Sequence, residues 1–387
     1  MFINLELAYW VLYGVLGLMG IFTIAIMTVK FRAANDKKKT AKSRQKLQSY
    51  LDYVQNQLSK VGPISIPDMT LAKYDKKVLQ EVLCTWIERY EGESRQKLIT
   101  LCEELGLVEF NLKRMKSPSH FKKLDAAYYL GGMRNSRAVP ALFTLLENTK
   151  DDSELFIIGR SIAQTTNRPE DIKSMLMHVA KGEKNNYLLL ADIVNESTLN
   201  LQQQFEDLIS SNNADLVNVS LLSLAEDNDY GMDSRAKSLL RSKHRDIRVN
   251  AARLILASGQ WSAEDIKQLI QFKDVEMRVF VANWIGEKQL AQLTHLLREG
   301  VQDTNQRVAR TCAKSLLQLG DIGFTQLCEI AKQEDGQTAS IALECLEEDI
   351  KVASANMENL EKVNMYNHKV YLFEKYFGKN NDLIQAI

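Results

Sequence analysis

Proline is scarce in this chain, five residues in 387, and glycine is hardly commoner at eighteen. An all-β protein needs many more turn formers than that, so long helices are favoured. Cysteine is both rare and dispersed: Cys84, Cys102, Cys312, Cys328 and Cys345 are odd in number and contain no C-x-x-C pair. That excludes a disulfide framework and a cysteine zinc site, and it fits a reducing compartment. Net charge is missing too, with 49 basic and 49 acidic side chains. No overall field draws the chain onto nucleic acid, whose phosphates demand an excess of basic charge. Also lacking are a Walker A loop, G-x-G-x-x-G, G-x-S-x-G, H-E-x-x-H and an EF-hand loop, so no catalytic, cofactor or metal residues are assigned. The five histidines (His120, His178, His244, His295 and His368) are spaced so that no two share a helical face. Surface or capping roles suit them, imidazole being comfortable half-exposed.

What is present begins with an uncharged run, AYWVLYGVLGLMGIFTIAIMTV, from Ala8 to Val29. As a helix it spans roughly 30 Å, the thickness of a bilayer's hydrocarbon core. Tyr9, Trp10 and Tyr13 stand near one end, where amphipathic aromatics prefer the headgroup level. A signal peptide would carry a basic start and a shorter apolar stretch; here only Glu6 precedes the run. Lys30, Arg32, Lys37, Lys38, Lys39, Lys42, Arg44 and Lys46 follow it, opposed by Asp36 alone. Basic flanks stay on the cytoplasmic side. The expected arrangement is therefore a short outer N-terminus (1–7), a transmembrane helix (8–29) and a cytoplasmic remainder in the cell membrane. The basic cluster serves as a stop-transfer signal and could also touch anionic lipid headgroups. Leu47, Leu51, Val54 and Leu58 make an apolar seam suited to a short coiled coil or to packing on the chain's own domain. Gly62-Pro63 and Pro67 end this linker helix, assigned with the basic segment to 30–66.

The remainder repeats. A small residue recurs at Ala127, Gly159, Ala191, Ser220, Ala252, Ala282, Cys312 and Ala342, with gaps of 32, 32, 29, 32, 30, 30 and 30. A capping residue precedes each: Ser119, Asp152, Asn185, Asn213, Asp246, Asp274, Asp303 and Asp335. Second amphipathic helices lie between, such as AVPALFTLLENT from Ala138, EDIKSMLMHVA from Glu170, AEDIKQLIQF from Ala263 and FTQLCEIAKQ from Phe324. A small residue lets paired axes approach, and a pair that cannot bury both faces alone must stack on its neighbours. The expected fold is all-α, an α-α superhelix preceded by one transmembrane helix. It has a helical N-terminal cap over 67–109, repeats over 110–346 and a C-terminal helical cap over 347–387.

DIRVNAARLILASG from Asp246, DTNQRVARTCAKSLLQLGD from Asp303 and KLDAAYYLGGMRNSRAVPALFTLL from Lys123, with its Gly131-Gly132 stop, resemble HEAT-repeat helices. The unit resembles the compact bacterial HEAT type of phycobilisome lyases, shorter than the roughly 40–47 residues usual for HEAT units. The resemblance implies a scaffold or adaptor that binds a protein partner, with a membrane synthase such as an exopolysaccharide glycosyltransferase as a natural client. The alternative it carries is a lyase-like enzyme or a tetrapyrrole binder, a reading that rests on fold analogy alone.

Two residue groups stand out. Arg248, Arg278 and Arg307 recur behind Asp246, Asp274 and Asp303. They form either a row gripping an acidic partner or, as the fork geometry of guanidinium favours, a structural ladder between units. Tyr366, Tyr371, Phe373, Tyr376 and Phe377 crowd into twelve residues and make either a partner-contact surface or a cap on the last repeat. Trp261 and Trp284 suggest a base-stacking surface, which a neutral chain tethered to a membrane argues against, and Trp284 in ANWIG is read as core.

Overall fold

Between Ile3 and Gln57 the chain contains no proline, and after Gly20 no glycine until Gly62, so nothing interrupts a helix there. The computed structural model, which describes residues 3–181, 185–226 and 234–378, has a single helix over that stretch, α1 (Ile3–Gln57). The boundary expected at residue 30 marks a change of composition within one helix. From Tyr9 to Phe31 the side chains are exposed. This segment is long and apolar enough to cross a membrane. The second half is different. Leu47, Tyr50, Leu51, Val54 and Leu58 are buried, so the seam packs on the chain's own domain instead of forming a coiled coil. Residues 1–2 of the expected outer segment and 379–387 of the expected C-terminal cap lie outside the described residues.

The described chain divides into two compact units, Met1–Leu201 and Gln202–Ile387. In the first, α1 packs on α2 (Lys73–Arg89), followed by α3 (Gly92–Glu104), α4 (Leu107–Met115) and α5 (His120–Gly132). Then come α6 (Val139–Glu147), α7 (Asp152–Thr165), α8 (Pro169–Val179) and α9 (Tyr187–Val194). Helices α2, α5, α7 and α9 stack in sequence as one layer, with α4, α6 and α8 beside them as the other. In the second unit the first layer is α11 (Ala214–Glu226), α13 (Arg245–Ala257), α15 (Val275–Glu287), α17 (Gln306–Gln318) and α19 (Gly336–Ala355). Its companions are α10 (Gln202–Leu208), α12 (Ser234–Leu239), α14 (Ala263–Ile270), α16 (Thr294–Gly300) and α18 (Asp321–Gln333). A last helix, α20 (Leu360–Phe377), covers α18 and α19. No strand occurs among the described residues. Both units are thus all-α stacks in which each helix pair meets the next, an α-α solenoid arrangement.

The small-residue column lies on the stacking layer. Seven of its eight members are buried, and Ala191 is half-buried. Helix α5 ends at Gly132, with Gly131 and Gly132 in its last turn. A Cβ on Gly131 would fall 2.8 Å from the Ser161 backbone of α7, and one on Gly132 would fall 3.0 Å from the Cys84 sulfur of α2. Their smallness permits helix contact on two sides. Four of the expected caps are shifted: Asp151 caps α7, Asn186 in place of Asn185 precedes α9, His244 precedes α13, and Asn305 caps α17 with its side chain accepting from the Arg307 and Val308 N–H groups. The expected boundary at 346/347 falls inside α19, and that at 109/110 inside α4, because neither site carries a residue that ends a helix.

Asp75 fastens α1 to α2. It is 2% exposed, accepts from Lys46 Nζ at 2.8 Å and from the Ala72 N–H at 3.0 Å. Burial pushes its carboxyl up, but hydrogen bonds from Lys46, Ser43 and the Ala72 N–H outweigh that and hold it below the ordinary carboxylate range. A depressed folded value contributes stability above the unfolded pKa of about 4, and that contribution is lost as pH falls through the folded value. We expect Asp75→Asn to cost about 1 kcal/mol at pH 7. Urea unfolding of the full chain in mild detergent at pH 7 and pH 3 checks this, the gap between variant and parent closing at the lower pH.

Candidate functional site

The three arginines of the sequence pattern all sit on the stacking layer of the second unit, early in α13, α15 and α17. Arg248 pairs with Asp274 of the following helix pair, and its Nη1 donates to the Ser242 and Lys243 carbonyls at 2.9 and 3.2 Å. Arg278 repeats this one unit on. Its Nε lies 2.8 Å from Asp303 Oδ2, Nη2 donates to Oδ1 at 3.1 Å, and Nη1 donates to the Phe272 and Lys273 carbonyls at 2.7 and 3.2 Å. Each guanidinium therefore clasps its own inter-helix turn and the next unit's turn aspartate together. Arg307 departs from the pattern: it turns back to Glu276 and is largely exposed. Asp246 accepts no bond from the row and stands 3.5 Å from Arg245.

A related clip ties the first unit together. Arg160 donates to the carboxylate of Glu196, Gln164 donates to it at 2.9 Å, and Arg134 approaches to 3.8 Å. Burial raises the Glu196 carboxyl, yet the bonds from Gln164 and Arg160 and the charge of Arg134 hold it low. Nothing in local spacing joins Arg134, Arg160 and Glu196, which the stacking of helix pairs brings together.

The aromatic cluster does not present a common surface. Phe373 is 4% exposed in the core, with its ring 4.6 Å from that of Phe377. Tyr366, Tyr376 and Phe377 are half-buried against the same core, leaving Tyr371 as the exposed member. The contact-surface expectation fails for Phe373, because α20 must bury one face on α18 and α19 to be held at all. Trp261 and Trp284 meet edge to face at 5.3 Å and pack against the core of the second unit.

Groups that carry chemistry elsewhere are occupied with structure. All five cysteines are buried as free thiols. Burial pushes Cys84, Cys312 and Cys328 up to about 12, so the nucleophilic thiolate is suppressed at neutral pH. His120 bonds Glu154 at 2.6 Å and His368 bonds Asp321 at 2.9 Å. Among the described residues no group of three or more His, Cys, Asp or Glu side chains is placed to hold a metal ion. A groove of about 760 Å³ lies between α4 and α6, with Leu112, Met115 and Leu145 along it and Lys113, Lys116 and Lys123 at its edges.

No protein-family model and no curated protein matches the chain. Among solved structures, an engineered protein is 14% identical over 86% of this chain and 96% of its own, with a TM-score of 0.31. YibA of Escherichia coli is 13% identical over 73% of this chain and 99% of its own, with a TM-score of 0.30.

Proposed function

We propose that this chain is a membrane-anchored scaffold that binds a protein partner at the bilayer surface and catalyses no reaction itself. On this reading residues 8–29 span the cell membrane with the N-terminus outside, and both helical stacks, taken as short HEAT-type repeats, lie in the cytoplasm. The observation that carries it is α1. One unbroken helix is bare from Tyr9 to Phe31 and packed into the first stack from Leu47 to Val54. An element built this way serves to hold the stack against a membrane. The orientation rests on the eight basic residues that follow the run, Lys30 to Lys46. Stacked helix pairs offer long rows of surface for a second protein, and a synthase embedded in the same membrane is the client such an anchor suits.

The test is affinity capture of the full-length chain from membranes in mild detergent, compared with residues 1–61 alone. A membrane protein captured by the full chain and lost with α1 alone is the expected result. Capture of the same proteins by both would make the span the contact. No partner that depends on the stacks would refute the scaffold reading.

A further inference from the structure

The basic stretch after the apolar run is joined by side chains from a distant part of the sequence. The Tyr74 hydroxyl, in the first turn of α2, donates to Asp36 Oδ1 on α1. Its ring lies under two ammonium groups at once, Lys39 Nζ at 5.4 Å and Lys77 Nζ at 5.7 Å from the centroid. The Tyr74 bond outweighs desolvation and, with the charges of Lys77, Lys39 and Lys73, holds the Asp36 carboxyl below its ordinary range. The single acid of the stretch is thereby engaged, and α2 adds Lys73 and Lys77 to the cations already on α1. Arg44 and Lys46 are spent on Glu81 and Asp75. Lys30, Arg32, Lys37, Lys38, Lys39 and Lys42 have no carboxylate partner described within 4 Å.

Height decides what meets these charges. Asp36 and Lys39 lie seven and ten residues beyond Val29 on a continuous helix. That places them roughly 10–15 Å past the hydrocarbon edge. A headgroup layer occupies about 5–7 Å of that distance. The Tyr74 cluster then stands within about one Debye length, ~8 Å, of the lipid phosphates. A polybasic surface at that level is attracted by anionic lipid and little affected by zwitterionic lipid.

We infer that Lys73 and Lys77 of α2, gathered by Tyr74 beside Lys39, form with the α1 cations a docking surface for anionic phospholipid headgroups. The first stack is then held to the membrane at a second point besides its span. The inference rests on α1 crossing the bilayer.

The test reconstitutes the full chain into nanodiscs of phosphatidylcholine alone or with one lipid in three replaced by phosphatidylglycerol. Lysine acetylation rates are read residue by residue by mass spectrometry. Lys73 and Lys77 are expected to react about fivefold more slowly in the anionic discs, the occupancy shift one surface-bound lysine carries. The difference should vanish near ~0.5 M salt. Exposed Lys60, beyond the far end of α1 and roughly 40 Å along it from the hydrocarbon edge, should react alike in both discs. Equal rates for Lys73 and Lys77 in the two discs would overturn the headgroup contact while leaving the span intact. Parallel slowing of Lys60 would overturn it as well, by assigning the effect to the discs in general. Failure to enter discs of either composition would instead remove the span, and the inference with it.

Discussion

Replacing Gly323 with alanine will lower the melting temperature of the second unit by roughly 6–12 °C. Helices α17 and α18 are joined by Leu319 and Gly320 only, and Gly320 takes a φ of +70° to make the corner. The reversal is so tight that the first turn of α18 lies on the last turns of α17. A Cβ at Gly323 would stand 1.8 Å from the Leu316 carbonyl oxygen and 2.5 Å from its carbon. Both atoms are main chain, so no side-chain rotation relieves the clash. Overpacking ordinarily costs about 1–3 kcal/mol, and one that must displace a whole helix belongs at or beyond the top of that range. Thermal unfolding of the full chain in mild detergent, followed by circular dichroism, reads the effect. A fall of less than about 2 °C would mean that α18 shifts freely away from α17, contrary to the packing described.

The second large effect separates two arginines that look alike in sequence. Arg278→Met should destabilise the second unit by about 2–4 kcal/mol, whereas Arg307→Met should cost at most about 1 kcal/mol. Arg278 and Asp303 are 14% and 16% exposed, so removing the guanidinium strands a carboxylate and two turn carbonyls in a partly dry site. Arg307 is 59% exposed, and its loss leaves Glu276 free to hydrate. Arg278→Lys should recover little, since one ammonium cannot reproduce the fork that reaches both Asp303 oxygens and the Phe272 carbonyl. Melting temperatures of the three variants check this ordering. Equal small effects would mean that the arginine row does not lock unit to unit, and would return it to consideration as a surface for an acidic partner.

Much of this architecture could be read from periodicity. The uncharged run and the column near thirty residues are statements about which faces are apolar, and burial follows apolar faces closely. The capping residues were harder, because turns such as Ser242 to Asp246 and Asp303 to Asn305 hold several side chains able to accept from a free N–H. In the second of these the Asn305 N–H bonds Asp303, and Asn305 itself takes the cap, a division set by loop geometry. Contacts made across the fold were not legible. Asp75, Glu196 and Gly323 are ordinary in their local sequence and acquire their roles only when a second helix arrives. The aromatic cluster shows the same limit from the other side: five rings in twelve residues announce burial or binding equally, and the position of α20 against α18 and α19 decides for burial at Phe373.

The absence of any break in α1 also makes it a lever. A bilayer that grips the first half fixes the attitude of the second, with no swivel between them. The arm from Val29 to Gln57 is roughly 40 Å long. A change of 10° in the tilt of the embedded half, a modest response to a thicker or thinner membrane, would sweep the far end through about 7 Å. The first stack is keyed to that arm through Leu47, Leu51, Val54 and the Lys46–Asp75 bond, so it would travel as one piece with it. Membrane thickness would then set where the stack stands over the bilayer, and with it which neighbouring proteins lie within reach.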